Sequence, residues 1–154
     1  RPVHHTLANH WARAVEMIYA AERIVELIND PEITSTDLRV LPRETPTVGI
    51  GVVEAPRGTL YHHYETDERG ILTKVNLIVA TQNNSARMAM SVEKAAKGLI
   101  KKGDASEKRL NMIEMAFRAY DPCHACATHT LPGQMPLLVR IRDTSGQVVQ
   151  EIVR

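Results

Sequence analysis

No stretch of this sequence is long and apolar enough to cross a bilayer: Lys, Arg, Glu or Asp interrupts every apolar run short of the roughly 18 residues a span requires. Nor does the N-terminus carry the basic-then-apolar segment that signals export. An excess of one charge is missing too. With 19 Lys and Arg against 18 Asp and Glu, the formal net charge is +1, which gives no sign of a nucleic-acid footprint or a polybasic membrane anchor. Cysteine is scarce. The 2 present, Cys123 and Cys126, lie too close in sequence to staple a domain by closing a long loop. In a chain with no export signal, such a pair reads as a metal or redox motif rather than a structural disulfide, and the setting as cytosolic and reducing. The chain opens on Arg1-Pro2 instead of Met, so an upstream part is expected.

What is there suits one domain of ordinary soluble composition: 154 residues, 44% hydrophobic and 24% charged. Leu7, Trp11, Val15, Ile18, Ile24 and Ile28 recur at helical spacing with charged residues between them, predicting a helix over residues 6–29. Thr6 is the expected N-cap, and Asn29-Asp30-Pro31 the stop. The Pro-, Thr- and Ser-rich stretch 31–47 reads as a loop. Residues 48–53, 59–66 and 72–79 are rich in β-branched and aromatic types and read as strands, with Asp67-Glu68-Arg69-Gly70 as a hairpin turn. Helical periodicity returns over 85–101 (Met88, Val92, Ala95, Ala96, Leu99) and again over 105–119, with Leu110, Ile113, Met115 and Phe117 as expected core. A Pro-bearing loop, 121–129, follows, and the tail, 130–154, reads as a last hairpin around Ser145-Gly146.

The chemistry concentrates in Asp121-Pro122-Cys123-His124-Ala125-Cys126-Ala127-Thr128-His129. Cys-x-x-Cys-x-x-His sets two potential thiolates and an imidazole on a segment short enough to aim both sulfurs at one centre. Thiolates suit zinc, copper(I), nickel and iron–sulfur centres. Asp121 is placed to cap the loop through backbone N–H groups, and Pro122 to stiffen it. Spacing alone leaves open half of a zinc site and a thioredoxin-type dithiol, the latter weakened because a helix leads into the motif and Pro132-Gly133 follows it. His4-His5 and His62-His63 have no thiolate or carboxylate partner at useful spacing and read as terminal and strand histidines.

Asp121-Pro122-Cys123-x-x-Cys126-x-x-His129 resembles the C-terminal nickel-binding signature of the nickel–iron hydrogenase large subunit. Glu54-Ala55-Pro56-Arg57-Gly58-Thr59-Leu60 is similar to the same family's stretch that lines the iron's diatomic ligands, and the two motifs stand in the family's order. The lead-in 111–120 is similar to the cytoplasmic, multi-subunit branch with viologen-reducing and deazaflavin-reducing members.

The resemblance implies that Cys123 is a terminal nickel ligand and Cys126 a bridge from nickel to an iron that carries cyanide and carbon monoxide. Arg57 would lie over the site and donate to a cyanide, with Pro56 and Leu60 as an apolar wall. Ala80 and Thr81 match a second ligand-contacting stretch, in which the Thr hydroxyl donates to the other cyanide and the family often has proline at the position of Ala80. His129 would become the mature C-terminus and help bind a hard cation, magnesium or a second iron. Heterolytic cleavage of dihydrogen needs a base near the metals, which a metal-bound thiolate can supply, and fixed positive charge such as Arg57 where electron density builds up. Without the Cys motif, Arg57 would read as an ordinary turn arginine.

Two departures qualify that picture. The family uses a second Cys-x-x-Cys from the N-terminal half of the large subunit, and that pair is not in this chain. The chain alone is therefore expected to be an incomplete, inactive part of the enzyme, dependent on that half and on an iron–sulfur small subunit. Residues 1–129 would be the large-subunit part. Residues 130–154 would be a tail that a maturation protease removes once a nickel chaperone has delivered its metal. The expected fold class is α+β, long helices around a buried metal site with a small antiparallel β region. The alternative function is a non-catalytic zinc-binding or assembly module using Cys123, Cys126 and His129.

Overall fold

The computed structural model describes residues 2–101, 103–131, 134 and 137–153; the Pro132-Gly133 segment lies outside the described residues. The chain divides into two compact units, one up to Pro122 and one from Cys123 onward.

The first unit begins with α1, Ala8–Ile28. Its stop is the expected one: the Asn29 N–H turns back to the carbonyls of Glu26 and Leu27, and Asp30 accepts from Glu32 N at 2.9 Å to open a 3-10 turn over Pro31–Thr34. Its start differs. Leu7 holds the cap position with φ/ψ that are already helical, which takes Thr6 out of capping register, and the Thr6 hydroxyl instead pairs with that of Ser91 at 3.4 Å. No residue of α1 is buried: Trp11 is 70% and Ile18 63% exposed. Projected at 3.6 residues per turn, its apolar residues cover more than half the circumference, the pattern of a helix that protein surrounds on several sides.

Three antiparallel strands follow in the order β1-β2-β3: β1 Val48–Ala55, β2 Gly58–Thr66 and β3 Leu72–Ile78. The register runs from Val48↔Glu65 to Ala55↔Gly58 and continues as Tyr61↔Ile78. The β2–β3 turn is the one the sequence indicates, with Asp67 accepting from the backbone N–H groups of Arg69 and Ile71 and Gly70 at φ 79°. After β3 the chain does not stay extended. It forms a short helix, α2, Ala80–Asn83, so Thr81 is helical and not the strand residue its surroundings suggest. The Gln82 side chain reaches back to Val79 N at 3.4 Å and helps to turn the chain there.

Helices α3, Ser85–Leu99, and α4, Glu107–Arg118, pack on one another around Met88, Leu110 and Ile113, with Gly103 at φ 75° between them. Met115, expected in this core, is 50% exposed because its position points about 140° away from Leu110 around the helix. Phe117 is half-buried.

The second unit holds α5, His124–Thr128, and an antiparallel hairpin of β4, Leu138–Arg142, and β5, Val148–Val153. Asp143 closes the hairpin by accepting from Ser145 N at 2.8 Å and Gln147 N at 3.0 Å. The segment expected as an irregular loop is thus helical over half its length. The architecture is α+β, as expected. Among the described residues no helix is long and apolar enough to cross a membrane.

Candidate metal centre

Strands β1 and β2 meet in a two-residue turn, Pro56-Arg57, between the paired Ala55 and Gly58. Proline fixes a negative φ at the first central position. Arg57 at the second has φ 88°, a conformation that glycine or asparagine usually fills in this type of turn. Its Nε donates to Asp121 Oδ2 at 3.1 Å, an ion pair in which the side chains are 32% and 57% exposed. Pro56 is exposed and Leu60 half-buried on β2.

Asp121, expected to cap its own loop, serves a different purpose, as the acceptor that holds Arg57. This partnership is what the sequence does not reveal; its one hint is an acidic residue beside the cysteine motif. Asp121 ends α4 with its N–H on Arg118 O at 2.8 Å and takes φ 50°, after which Pro122 cannot continue the helix.

The two segments that the resemblance assigns to the diatomic ligands are brought together. Ala80 and Thr81 are each 3% exposed, and a Cβ placed on Gly58, whose φ is 142°, would lie 3.5 Å from Ala80 O. Asn84 Nδ2 donates to Arg57 O at 2.6 Å, and Asn83 Nδ2 donates to Thr59 O at 2.8 Å. Two side-chain amides from the end of α2 thus hold the carbonyls on either side of Gly58.

In the second unit, Cys123 is the N-cap of α5, and its sulfur accepts from Cys126 N at 3.4 Å. One helical turn sets the two Cα atoms 5.3 Å apart, well inside disulfide range, and the two sulfurs are bonded to each other. The spacing read as a metal or redox motif therefore does bring both sulfurs to one point. As donors they are right in kind for nickel or iron. Ligation requires that an external thiol reductant first deliver two electrons and two protons to the bond to give two thiols, whose protons are released to solvent as the thiolates bind the metal.

His129 caps α5 in the left-handed conformation, φ 56° and ψ 29°. Among the described residues no three His, Cys, Asp or Glu side chains converge to hold an ion, so the cysteines come together without His129. The strand histidines lie on β2 as read, with His62 Nδ1 meeting the Tyr64 hydroxyl, but His63 does have a carboxylate neighbour, Glu65 at 3.6 Å, because residues two apart on a strand share a face. Arg57, Asp121 and His129 are the non-glycine residues with positive φ among those described, and each belongs to a motif segment.

Comparison with known proteins gives a family match whose span contains these segments. Residues 1–129 match the family model described as nickel-dependent hydrogenase. A relative from Archaeoglobus profundus, named as an iron–sulfur subunit of an F420-non-reducing hydrogenase, is 51% identical over 99% of this chain and 32% of its own length. NAD-reducing hydrogenase HoxS subunit beta, from Cupriavidus necator, is 46% identical over 97% of this chain and 31% of its own length. A crystal structure of an NAD+-reducing [NiFe]-hydrogenase in the H2-reduced state superimposes with a TM-score of 0.77 at 46% identity, over 82% of this chain and 28% of that one. The chain thus spans about a third of the length of the curated relatives it matches. With the family model matched from residue 1 through the His129 that ends the cysteine motif, the chain belongs to the nickel-dependent hydrogenase family.

Proposed function

We propose that this chain is the C-terminal portion of a nickel–iron hydrogenase large subunit, contributing two of the four thiolates of its metal centre. One observation carries the reading: the family match is a single stretch that ends on the motif whose two sulfurs meet on the first turn of α5. Membership of one family stretch is also the support for assigning Arg57, Pro56, Leu60, Ala80 and Thr81 to the same centre as Cys123 and Cys126.

When bound, the nickel–iron group supplies the acceptor for the electron pair of dihydrogen. Cys123 and Cys126 would hold the group as thiolates, and Cys123 would also accept the proton released by heterolytic cleavage. The Arg57 guanidinium, held at Nε by Asp121, keeps its remaining N–H donors for a cyanide on the iron. Buried Thr81 and Ala80, with Leu60, keep water from the diatomic ligands. His129 contributes to a hard-cation site of magnesium or a second iron. Both cysteines of this chain belong to the motif, which leaves none to hold a cluster of its own, so an iron–sulfur small subunit is the proposed carrier of the electrons.

The test is co-production with the small subunit and with the polypeptide that corresponds to the rest of the large subunit. Nickel, iron and dihydrogen-dependent dye reduction are then measured. Wild type is expected to hold both metals and turn over, Cys123→Ser and Cys126→Ser to lose nickel, and the chain by itself to do neither. Zinc alone on the pair would favour the assembly-module reading and overturn this one.

Residues 130–154 are proposed to be removed after His129 once nickel has been inserted by its chaperone. Supporting this, the family model stops at His129, whereas the relative from Archaeoglobus profundus matches over 99% of the chain. Intact mass of the large-subunit polypeptide in active enzyme decides it, a retained tail overturning the proposal.

A further inference from the structure

Asn84 is the junction between α2 and α3 and occupies the N-cap position of α3. Asparagine is among the preferred residues there because its side-chain oxygen accepts a free N–H of the first turn. Asn84 makes no such bond. A carbonyl can only accept, so it is the amide nitrogen that faces Arg57 O, at 2.6 Å. With φ −87° and ψ −6° its backbone is already helical, which rules out the usual cap bond, and the side chain serves the backbone of a turn instead. That turn is the one with an arginine at φ 88°, and the neighbouring amide, Asn83, holds Thr59 O two residues further on. Gly58 lies between the two carbonyls, where its close approach to Ala80 leaves the hairpin tip against α2.

We propose that Asn84, assisted by Asn83, is a positioning residue for Arg57: the two amides hold the Pro56-Arg57 turn in its left-handed form. The guanidinium then starts from a fixed backbone and is aimed by Asp121 at its other end. The same clamp joins Arg57 and Thr81, the two side chains assigned to the diatomic ligands, into one cradle. This rests on the reading of Arg57 given above, and the test separates the two.

Four forms of the assembled enzyme are compared: wild type, Asn84→Asp, Arg57→Ala and the double variant. Asn84→Asp keeps the shape and replaces the donor with an oxygen that repels Arg57 O. The readouts are kcat, KM for dihydrogen, nickel content and the infrared bands of the iron's diatomic ligands. Asn84→Asp is expected to lower kcat about ten- to a hundredfold, the scale set by slight misplacement of a catalytic group. KM and nickel content should be near wild type and a cyanide band shifted. In the Arg57→Ala background the same substitution should add less than about threefold, because the residue it positions is gone.

Equal effects of Asn84→Asp in both backgrounds would reduce Asn84 to a general structural role and overturn the proposal. Wild-type bands and kcat in the single variant would do the same. If Arg57→Ala itself changes neither kcat nor the bands, the assignment of Arg57 fails, a different result from failure of Asn84 alone. Should Asn84→Asp not assemble, Asn84→Ser, which keeps a donor of shorter reach, enters the same cycle with an intermediate effect expected. Loss of assembly in both would assign Asn84 to folding and overturn the proposal.

Discussion

Replacing Arg57 with glycine separates what the turn wants from what the site wants. A side chain at positive φ costs about 1–2 kcal/mol, and glycine at the 88° of Arg57 removes that cost. Two terms oppose it. Glycine widens the unfolded ensemble, a loss of about 0.4–1 kcal/mol, and the pair with Asp121, part-exposed on both sides, is worth about 0.5 kcal/mol. The sum is close to zero, within about 1 kcal/mol. For a chain of 154 residues that is a change in melting temperature of less than about 4 °C. Arg57→Ala retains the strain and loses the pair, so it should melt below Arg57→Gly.

Activity should follow the opposite rule. Both variants lose the guanidinium, and removing one preorganised donor from a reacting centre costs about a hundredfold or more in kcat. Scanning fluorimetry and dihydrogen-dependent dye reduction on the assembled enzyme measure the two properties in one preparation. The combination expected is a near-neutral melting temperature with activity largely gone. An Arg57→Gly variant that melts well below Arg57→Ala would refute the turn argument. One that keeps full turnover would refute the assignment of Arg57 to the chemistry.

Gly58→Ala should cost about 1–3 kcal/mol through its backbone alone, since φ 142° is closed to an L side chain while the added Cβ would meet Ala80 O at an ordinary 3.5 Å; loss of thermal stability is the readout. Leu110→Ala empties a position that is 8% exposed between α3 and α4, so urea midpoints should show a loss of about 2–4 kcal/mol. Hydrogen bonds from Ser145, first the hydroxyl and then the backbone, with Gln147 N, hold the Asp143 carboxyl below its ordinary range. Its folded value is thus below its unfolded one, and the contribution to the β4–β5 hairpin is fully present above about pH 4 and fades as pH falls through the folded value. The protection factor of the Gln147 amide, its exchange rate relative to the intrinsic rate at each pH, should fall over that window in the full chain and stay level in Asp143→Asn.

The periodic elements were legible because each carries its own pattern. The helices at 8–28, 85–99 and 107–118 and the strands at 48–55, 58–66, 72–78, 138–142 and 148–153 fall within a few residues of where apolar spacing puts them. What was not legible depends on contacts from outside the segment. α2 is a four-residue helix, too short to show a period, and its bonds run to a hairpin more than twenty residues earlier. Met115 carries a core residue type at an exposed angle, and composition cannot distinguish the two. The exposed apolar surface of α1 was foreseeable on another ground. A helix apolar over most of its circumference is built for a larger body, and this chain spans about a third of its relatives.

The site residues were legible by their identity and not by their geometry. Arg57, Asp121 and His129 all have positive φ; aspartate and histidine are among the types that tolerate such a backbone, whereas arginine is not. At Arg57 the glycine or asparagine that the turn would prefer has been passed over. Arg57 brings a guanidinium to Asp121, Asp121 brings the carboxylate that receives it, and His129 closes the helix that carries the cysteine pair. Strain of about 1–2 kcal/mol at Arg57 is a sizeable share of what a domain of this size can spare, and no burial of that residue offsets it. Packing therefore does not explain its presence. The role proposed for its guanidinium would, and the comparison of stability with turnover in Arg57→Gly is what tests that account.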